Sequence, residues 1–266
     1  MKFLFFGDIV AKAGRKAIAQ VLPTWQDEYK PDLIIGNVDN VAHGKGVTAS
    51  TLNELLSLGF TAFTSGDHIF DKPEAESLLK DSHYNLIRPA NFPASVVGSG
   101  SKRLQIGSRE VLLISLMGQV FLSEQYESPF RVVDEIIAKE KAVGDLAGII
   151  IDFHAEATSE KVALGWHLAG KVTAILGTHT HIPTCDEWIL PGGTAYVTDA
   201  GMVGIKESVI GVKIEQSLGR FLTQMPIHFD PVETGTVDVT ALLVEFDSNT
   251  AKAQTITRLT KKVTIS

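Results

Sequence analysis

The chain has 266 residues, 44% of them hydrophobic and 21% charged, with a formal net charge of −7. This balance suits a globular protein with enough apolar material for one large α/β domain, and the acidic charge argues against general binding to nucleic acid or anionic membrane. Cys185 is the sole cysteine, which excludes an intrachain disulfide and a thiolate metal cluster.

The opening MKFLFF is apolar like the start of a secretory leader, but Asp8 interrupts it and Lys12, Arg15 and Lys16 follow instead of preceding it. No transmembrane run is present, and the cytoplasm is the expected compartment. KFLFFG (2–7) reads as a buried strand, followed by a helix near 14–29. DLIIGN (32–37) is a second strand before a helical segment at 48–58, and TAFTSG (61–66) is a third before a short helix near 73–80. RLQIG (103–107) turns at Gly107-Ser108 into VLLISL (111–116); a helix at 130–141 leads to GIIIDF (148–153), and one near 159–168 leads to VTAILG (172–177). EWIL (187–190), PGG (191–193) and TAYVT (194–198) form a hairpin pattern, and VDVTALLVEF (237–246) with AQTITRLTKKV (253–263) reads as an antiparallel pair. Early βα units before a β-rich second half predict an α/β fold of two sheets packed face to face with helices outside. No linker divides the chain, so a single domain over 1–266 is expected.

The residues that end these apolar runs carry the functional signal. Asp8 follows FLFFG, Asp39 and Asn40 follow LIIGN, Asp67 and His68 follow AFTSG, His154 follows IIIDF, and His179 and His181 follow AILG. In extended chain His179 and His181, two apart, point the same way. Each residue singly has an ordinary explanation as a turn, a cap or a core histidine. Five successive strand ends of this kind point to one rim, because parallel strands share a C-terminal edge. Three carboxylates and three imidazoles without sulfur suit two divalent ions such as Fe, Mn or Zn. Such a pair, ~3.5–4 Å apart, supports attack on phosphorus by a bridging hydroxide.

The order Asp8, "NVDN" (37–40), "SGDH" (65–68), "DFHAEATSEK" (152–161) and "GTHTH" (177–181) resembles the calcineurin-like metallophosphoesterases, and more narrowly their bacterial YmdB-like branch. "GDIV" (7–10), "AHGKG" (42–46), "RPANFP" (88–93), "GTAYVTDAGM" (193–202) and "RF" (220–221) extend the resemblance through nearly the whole chain. It implies a four-layer α/β/β/α sandwich of two mixed sheets, homo-oligomeric assembly, and a phosphodiesterase acting on 2′,3′- or 3′,5′-cyclic nucleotides; from the acidic charge, no membrane and no stable nucleic-acid partner is expected. It further implies that Asp8, Asp39 and His181 hold one metal ion and that Asp39, Asp67, His154 and His179 hold a second. Asn40 would orient a ligand beside the site, and His68 would approach the leaving-group oxygen. Two positions depart from the branch, which carries glutamate where this chain has Asp39 and asparagine where it has Asp67. They make a catalytically weak regulator that binds metal and nucleotide the main alternative. A barrel amidohydrolase, which also uses a His-x-His pair, is a third class, but it carries the pair at its first strand and alternates βα throughout.

Other residues carry weaker signals. His43 to Gly46 suggest either a turn or a rim contact, without the spacing of a phosphate loop. "EATSEK" (156–161) could place helix N-terminal amides beside the metals, capped by Thr158 or Ser159. Arg88 and Asn91 match the branch without an evident chemical role. His83, His167 and His228 read as surface or packing residues, and Cys185 as structural.

Overall fold

A computed structural model describes residues 1–124 and 126–266. The chain runs β1 (Lys2–Asp8), α1 (Ala11–Tyr29), β2 (Leu33–Asn37), α2 (Ala49–Ser57), β3 (Ala62–Thr64), α3 (Ala75–Lys80), a 3-10 turn (Ser82–Tyr84), β4 (Ser101–Ile106) and β5 (Arg109–Met117). It continues through α4 (Pro129–Val143), β6 (Gly148–His154), α5 (Thr158–Leu168), β7 (Ala174–Thr178), β8 (Trp188–Leu190), β9 (Thr194–Val197), β10 (Gly204–Ile205), α6 (Ile214–Thr223), β11 (Gly235–Asp247) and β12 (Lys252–Ile265).

The strands form two mixed sheets. In the first, β1, β2 and β3 are parallel neighbours, and β11 runs antiparallel to β1, β10 and β12. In the second, β5, β6, β7 and β9 are parallel, with β4 and β8 antiparallel at the two edges. Side chains alternate across each strand, and here each face has its own apolar partner. Phe3, Phe5, Leu33 and Ile35 meet Leu113, Ile150 and Leu176 between the sheets. Leu4, Phe6 and Ile34 pack outward on Ala17, Ile18, Leu22 and Trp25 of α1 and Leu52 and Leu55 of α2. On the other side Leu112, Ile114, Ile149 and Ile151 pack on Val133 and Ile137 of α4 and Leu164 and Leu168 of α5. Three cores separate four layers, α/β/β/α, as the resemblance implies. Two open sheets also exclude the barrel required by the amidohydrolase alternative.

Most elements fall where the apolar runs place them, with shifted ends. Asp8 and His154 are the last residues of β1 and β6 rather than the first beyond them, and α1 starts at Ala11 instead of near 14. Helix α2 begins on a capping box, Thr48 accepting from the Thr51 amide and Thr51 returning the bond. The cap expected at Thr158 or Ser159 does not form: α5 begins at Thr158 behind Ala157, with no side-chain cap. Its first-turn Glu160 instead accepts from the amides of Gln119 and Val120. Strand β10 and helix α6 have no counterpart in the sequence reading.

Candidate metal centre

The C-terminal ends of β1, β2 and β3 in one sheet and of β6 and β7 in the other open onto a single rim. Asp8 ends β1, Asp39 and Asp67 lie just past β2 and β3, His154 ends β6, and His179 and His181 follow β7. All the expected site residues are brought together there. His154 Nε2 lies 3.2 Å from Asp67 Oδ1, 3.7 Å from Asp39 Oδ2 and 3.1 Å from His179 Nδ1. Asp8 Oδ1 lies 3.7 Å from His154 Nδ1 and 3.9 Å from His181 Nε2, which in turn sits 3.2 Å from Asn40 Oδ1. Asp39 is anchored by the amides of Gly66 at 2.6 Å and His68 at 3.1 Å, and Asp8 Oδ2 by the amide of His179 at 3.0 Å. These amides fix each carboxylate before any ligand arrives.

Two groups of ligand atoms each lie within 4.8 Å of one another: Asp67, His154 and His179, and Asp39, Asp67 and His68. The first group holds three of the four ligands expected for the second metal; among the described residues the set expected for the first metal, Asp8, Asp39 and His181, does not form such a group. The second group gives His68 a use as a ligand besides the one expected of it. Its Nδ1 is 3.1 Å from Asp71 Oδ2 and its Nε2 is 3.6 Å from Asp67 Oδ2.

Behind His154 lies a buried network that the sequence reading missed. Asp152 Oδ2 accepts from Asn37 Nδ2 at 2.8 Å and from the Thr64 hydroxyl, tying β6 of one sheet to β2 and β3 of the other. Thr178 Oγ1 donates to Asp152 Oδ1 at 2.6 Å and lies 2.9 Å from His154 Nδ1. A hydroxyl has one proton, and an ionised carboxylate can only accept, so Thr178 accepts from the Nδ1–H. With Nδ1 so protonated, Nε2, which holds its own proton toward Asp67 when no cation is present, is the nitrogen left to ligate a metal. Asp152 was visible as a carboxylate inside the apolar run IIIDF, and that was its one signal. Glu156, with Oε2 3.3 Å from His179 Nε2, and Asp71 were likewise not singled out.

The electrostatics fit a bound cation. Burial works against charge on His154, but the hydrogen bond with Asp67 and the fields of Asp39 and Asp8 overcome it and push the imidazole up to about 10. Burial also raises Asp67, yet its bonds to His154 and His179 hold it well below the usual carboxylate range. Asp8 ends below that range too, with His181 and His154 outweighing its burial. Asp39 ends above it, because burial and the repulsion of Asp67 prevail over His154 and His68. Burial likewise pushes Asp152 up to about 6. Three carboxylates thus compete for the little positive charge that the histidines supply. Asp8 Oδ1 is fully buried and has no hydrogen-bond partner among the described residues, an unmet acceptor that burial makes costly unless a cation meets it. The donor set of oxygens and imidazole nitrogens suits divalent ions, so the residues present fit the metals that the fold implies.

Most of the remaining candidates have structural uses. Arg88 donates to the carbonyls of Pro89, Val96 and Val97, and Asn91 bonds Met117 in both directions and the carbonyl of Glu127. His167 pairs with Asp134 and His83 meets Tyr84 edge to face, whereas Cys185 is exposed and free and does not take the structural role expected of it. Asn40 Nδ2 donates to the carbonyl of Gly44, which fixes the 43–46 turn against the site.

Known proteins share this whole architecture. A family model described as YmdB-like protein matches residues 4–259. The 2′,3′-cyclic-nucleotide 2′-phosphodiesterase of Bacillus subtilis (strain 168) is 41% identical over 259 residues, 97% of this chain and 96% of that protein. A hypothetical protein from Thermus thermophilus superposes with a TM-score of 0.91 at 35% identity, covering 98% of this chain and 99% of its own. A novel phosphatase from Mycoplasma pneumoniae does so with a TM-score of 0.89 at 34% identity, covering 100% of this chain and 94% of its own. Likeness of this extent takes in both sheets and every strand end that faces the rim, and the chain belongs to the YmdB-like family of metallophosphoesterases.

Proposed function

We propose that the chain is a phosphodiesterase whose substrate class is 2′,3′- or 3′,5′-cyclic nucleotides. The observation that carries this is the meeting of three carboxylates and three imidazoles at one strand-end rim, supported by the name of the Bacillus relative. Asp8, Asp39 and His181 hold one divalent ion and Asp39, Asp67, His154 and His179 the other, with Fe or Mn the expected metals and Zn admitted by the imidazoles. When bound, the ions supply positive charge to the phosphoryl oxygens and acidify the attacking water.

The protein's own groups do the rest. The amides of Gly66 and His68 keep Asp39 pointed into the rim, and Thr178 keeps the Nε2 of His154 free of a proton once a cation is present. The Ile210 carbonyl, 2.8 Å from Nδ1 of His181, orients that ring with Nε2 toward the rim, and Asn40, 3.2 Å from Nε2, would contact bound ligand. Asp71 accepts from Nδ1 of His68 and so orients the ring for passing an Nε2 proton to the departing oxygen.

The reading extends to the whole molecule. Residues 1–266 act as one domain, since the rim draws on both sheets. A homo-oligomer is supported by α6, where Leu218, Phe221 and Leu222 are 51%, 79% and 81% exposed on one helix. A cytoplasmic setting accords with the lone cysteine, and no helix of the described residues is long and apolar enough to cross a membrane.

His68→Ala tests the scheme. The variant is expected to keep both metals and to lose ~10²–10⁴-fold in turnover on alkyl esters, with a much smaller loss on nitrophenyl esters, whose leaving group needs no proton. Loss of a metal would instead make His68 a ligand, the second use its position beside Asp39 and Asp67 allows. The alternative of a weak metal- and nucleotide-binding regulator rests on Asp39 and Asp67. It predicts metal and nucleotide binding without appreciable hydrolysis of bis-p-nitrophenyl phosphate or 2′,3′-cyclic AMP.

A further inference from the structure

A buried ion pair with no part in the proposed hydrolysis lies directly behind the histidine loop. Lys161 Nζ is 2.6 Å from Asp199 Oδ2, and both side chains are 1% exposed. Lys161 also donates to the carbonyl of Thr178 at 2.7 Å. Asp199 accepts from the amide of Thr180 at 3.3 Å and, through its other oxygen, from the amide of Gly201 at 2.8 Å. The pair therefore grips the residues on both sides of His179, and Thr180 is also the residue between the two histidines.

The grip extends further along the chain. Just past Gly201, the Met202 amide donates to the carbonyl of His181 at 3.0 Å and the Val203 amide to the carbonyl of Asp8 at 2.8 Å. One charge pair is thus linked, directly or through two residues of chain, to the backbone of His179, His181 and Asp8. The histidines need such support. His179 has φ 95° and His181 φ 66°, a backbone region that residues with a side chain hold only where the surroundings impose it. Packing alone would not call for charges here, because apolar residues of similar volume often replace a buried ion pair at no loss of stability. Apolar residues cannot hold two amides and a carbonyl in place.

We propose that Lys161 and Asp199 are positioning residues for the two imidazoles, and that through this loop they set divalent-ion affinity. The inference rests on the metal-centre reading of the rim. Its test is the double variant Lys161→Met/Asp199→Val, compared with wild type in thermal melts of the metal-free protein and in titrations with Co²⁺ followed by visible absorption. A folded metal-free protein that melts below wild type is expected, because the Thr178 carbonyl and the Thr180 and Gly201 amides lose their partners, with Co²⁺ affinity ~10–100-fold weaker, the usual effect of removing groups that orient metal ligands, and an altered absorption band. Should that pair not fold, Lys161→Met/Asp199→Asn removes the bond to Thr178 and is judged by the same titration. Wild-type Co²⁺ binding matched in affinity and spectrum by the variant would overturn this inference alone. Failure of the wild-type protein to bind Co²⁺ would overturn the metal-centre reading and this inference with it.

Discussion

Gly66 lies where a single methyl group tests the site most sharply. A Cβ added there would fall 2.2 Å from His154 Nε2, 2.3 Å from its Cδ2 and 2.6 Å from its Cε1, where ordinary contact begins at 3.4 Å. The shortfall at Nε2 is 1.2 Å (3.4 less 2.2). His154 is 1% exposed, with Thr178 and Asn37 behind it, so the ring has no open space to enter. Metal–ligand distances tolerate displacements of about 0.2 Å, several times less than the ring would have to move. If the backbone at 66 yields instead, the amide that holds Asp39 Oδ1 at 2.6 Å is withdrawn, and a different proposed ligand is lost. Gly66 is not in the left-handed region, so alanine is barred by the imidazole and not by φ. Gly66→Ala is therefore expected to fold, with overpacking costing ~1–3 kcal/mol and lowering the melting temperature by about 2–4 °C per kcal/mol. It should lose one equivalent of metal by elemental analysis and most of its turnover on bis-p-nitrophenyl phosphate. Two retained equivalents with wild-type turnover would refute the placement of His154 at the metals.

Four other substitutions probe the same centre. His154→Ala and His179→Ala should each remove one metal and abolish hydrolysis while leaving a folded protein, as elemental analysis and circular dichroism would show; two retained ions would break the ligand assignment. Thr178→Val keeps the shape of the side chain but leaves Asp152 Oδ1 and His154 Nδ1 short of a partner. It should cost ~1–3 kcal/mol in denaturant melts and weaken metal binding ~10–100-fold, and an unchanged titration would remove the tautomer argument. Asp67→Asn should raise kcat/KM for an anionic diester and loosen one ion. Two divalent ions facing three carboxylates and a hydroxide are neutral in sum, whereas asparagine leaves one net positive charge for the substrate. A slower variant at saturating metal would mean that Asp67 assists the chemistry.

The two ligand departures and the two uses open to His68 belong to one physical question. Asp39 reaches the rim through a side chain one methylene shorter than glutamate, and the Gly66 amide at 2.6 Å and His68 amide at 3.1 Å fix its direction. Asp67 in turn contacts His154, His179 and His68 at 3.2, 3.6 and 3.6 Å. A carboxylate at 67 thus gathers three imidazoles, His154 and His179 on Oδ1 and His68 on Oδ2.

The strands and the rim were readable from sequence because both are written locally. Strands buried on two faces, such as IIIDF and LIIGN, appear as largely apolar runs, and a shared parallel direction sends the residue at each C-terminal end to the same edge. That logic placed Asp8, Asp39, Asp67, His154, His179 and His181 together without coordinates. Helix α6 escaped because its apolar face is turned to solvent, where it resembles a loop with scattered hydrophobics, and β10 is only two residues long. The supports of the site needed the tertiary structure. Asp152 bonds Asn37 across 115 residues and Lys161 bonds Asp199 across 38, and neither pairing leaves a trace in sequence spacing. Local order follows from each residue's neighbours along the chain. The angle of an imidazole and the partner of a buried charge are decided when one sheet closes on the other.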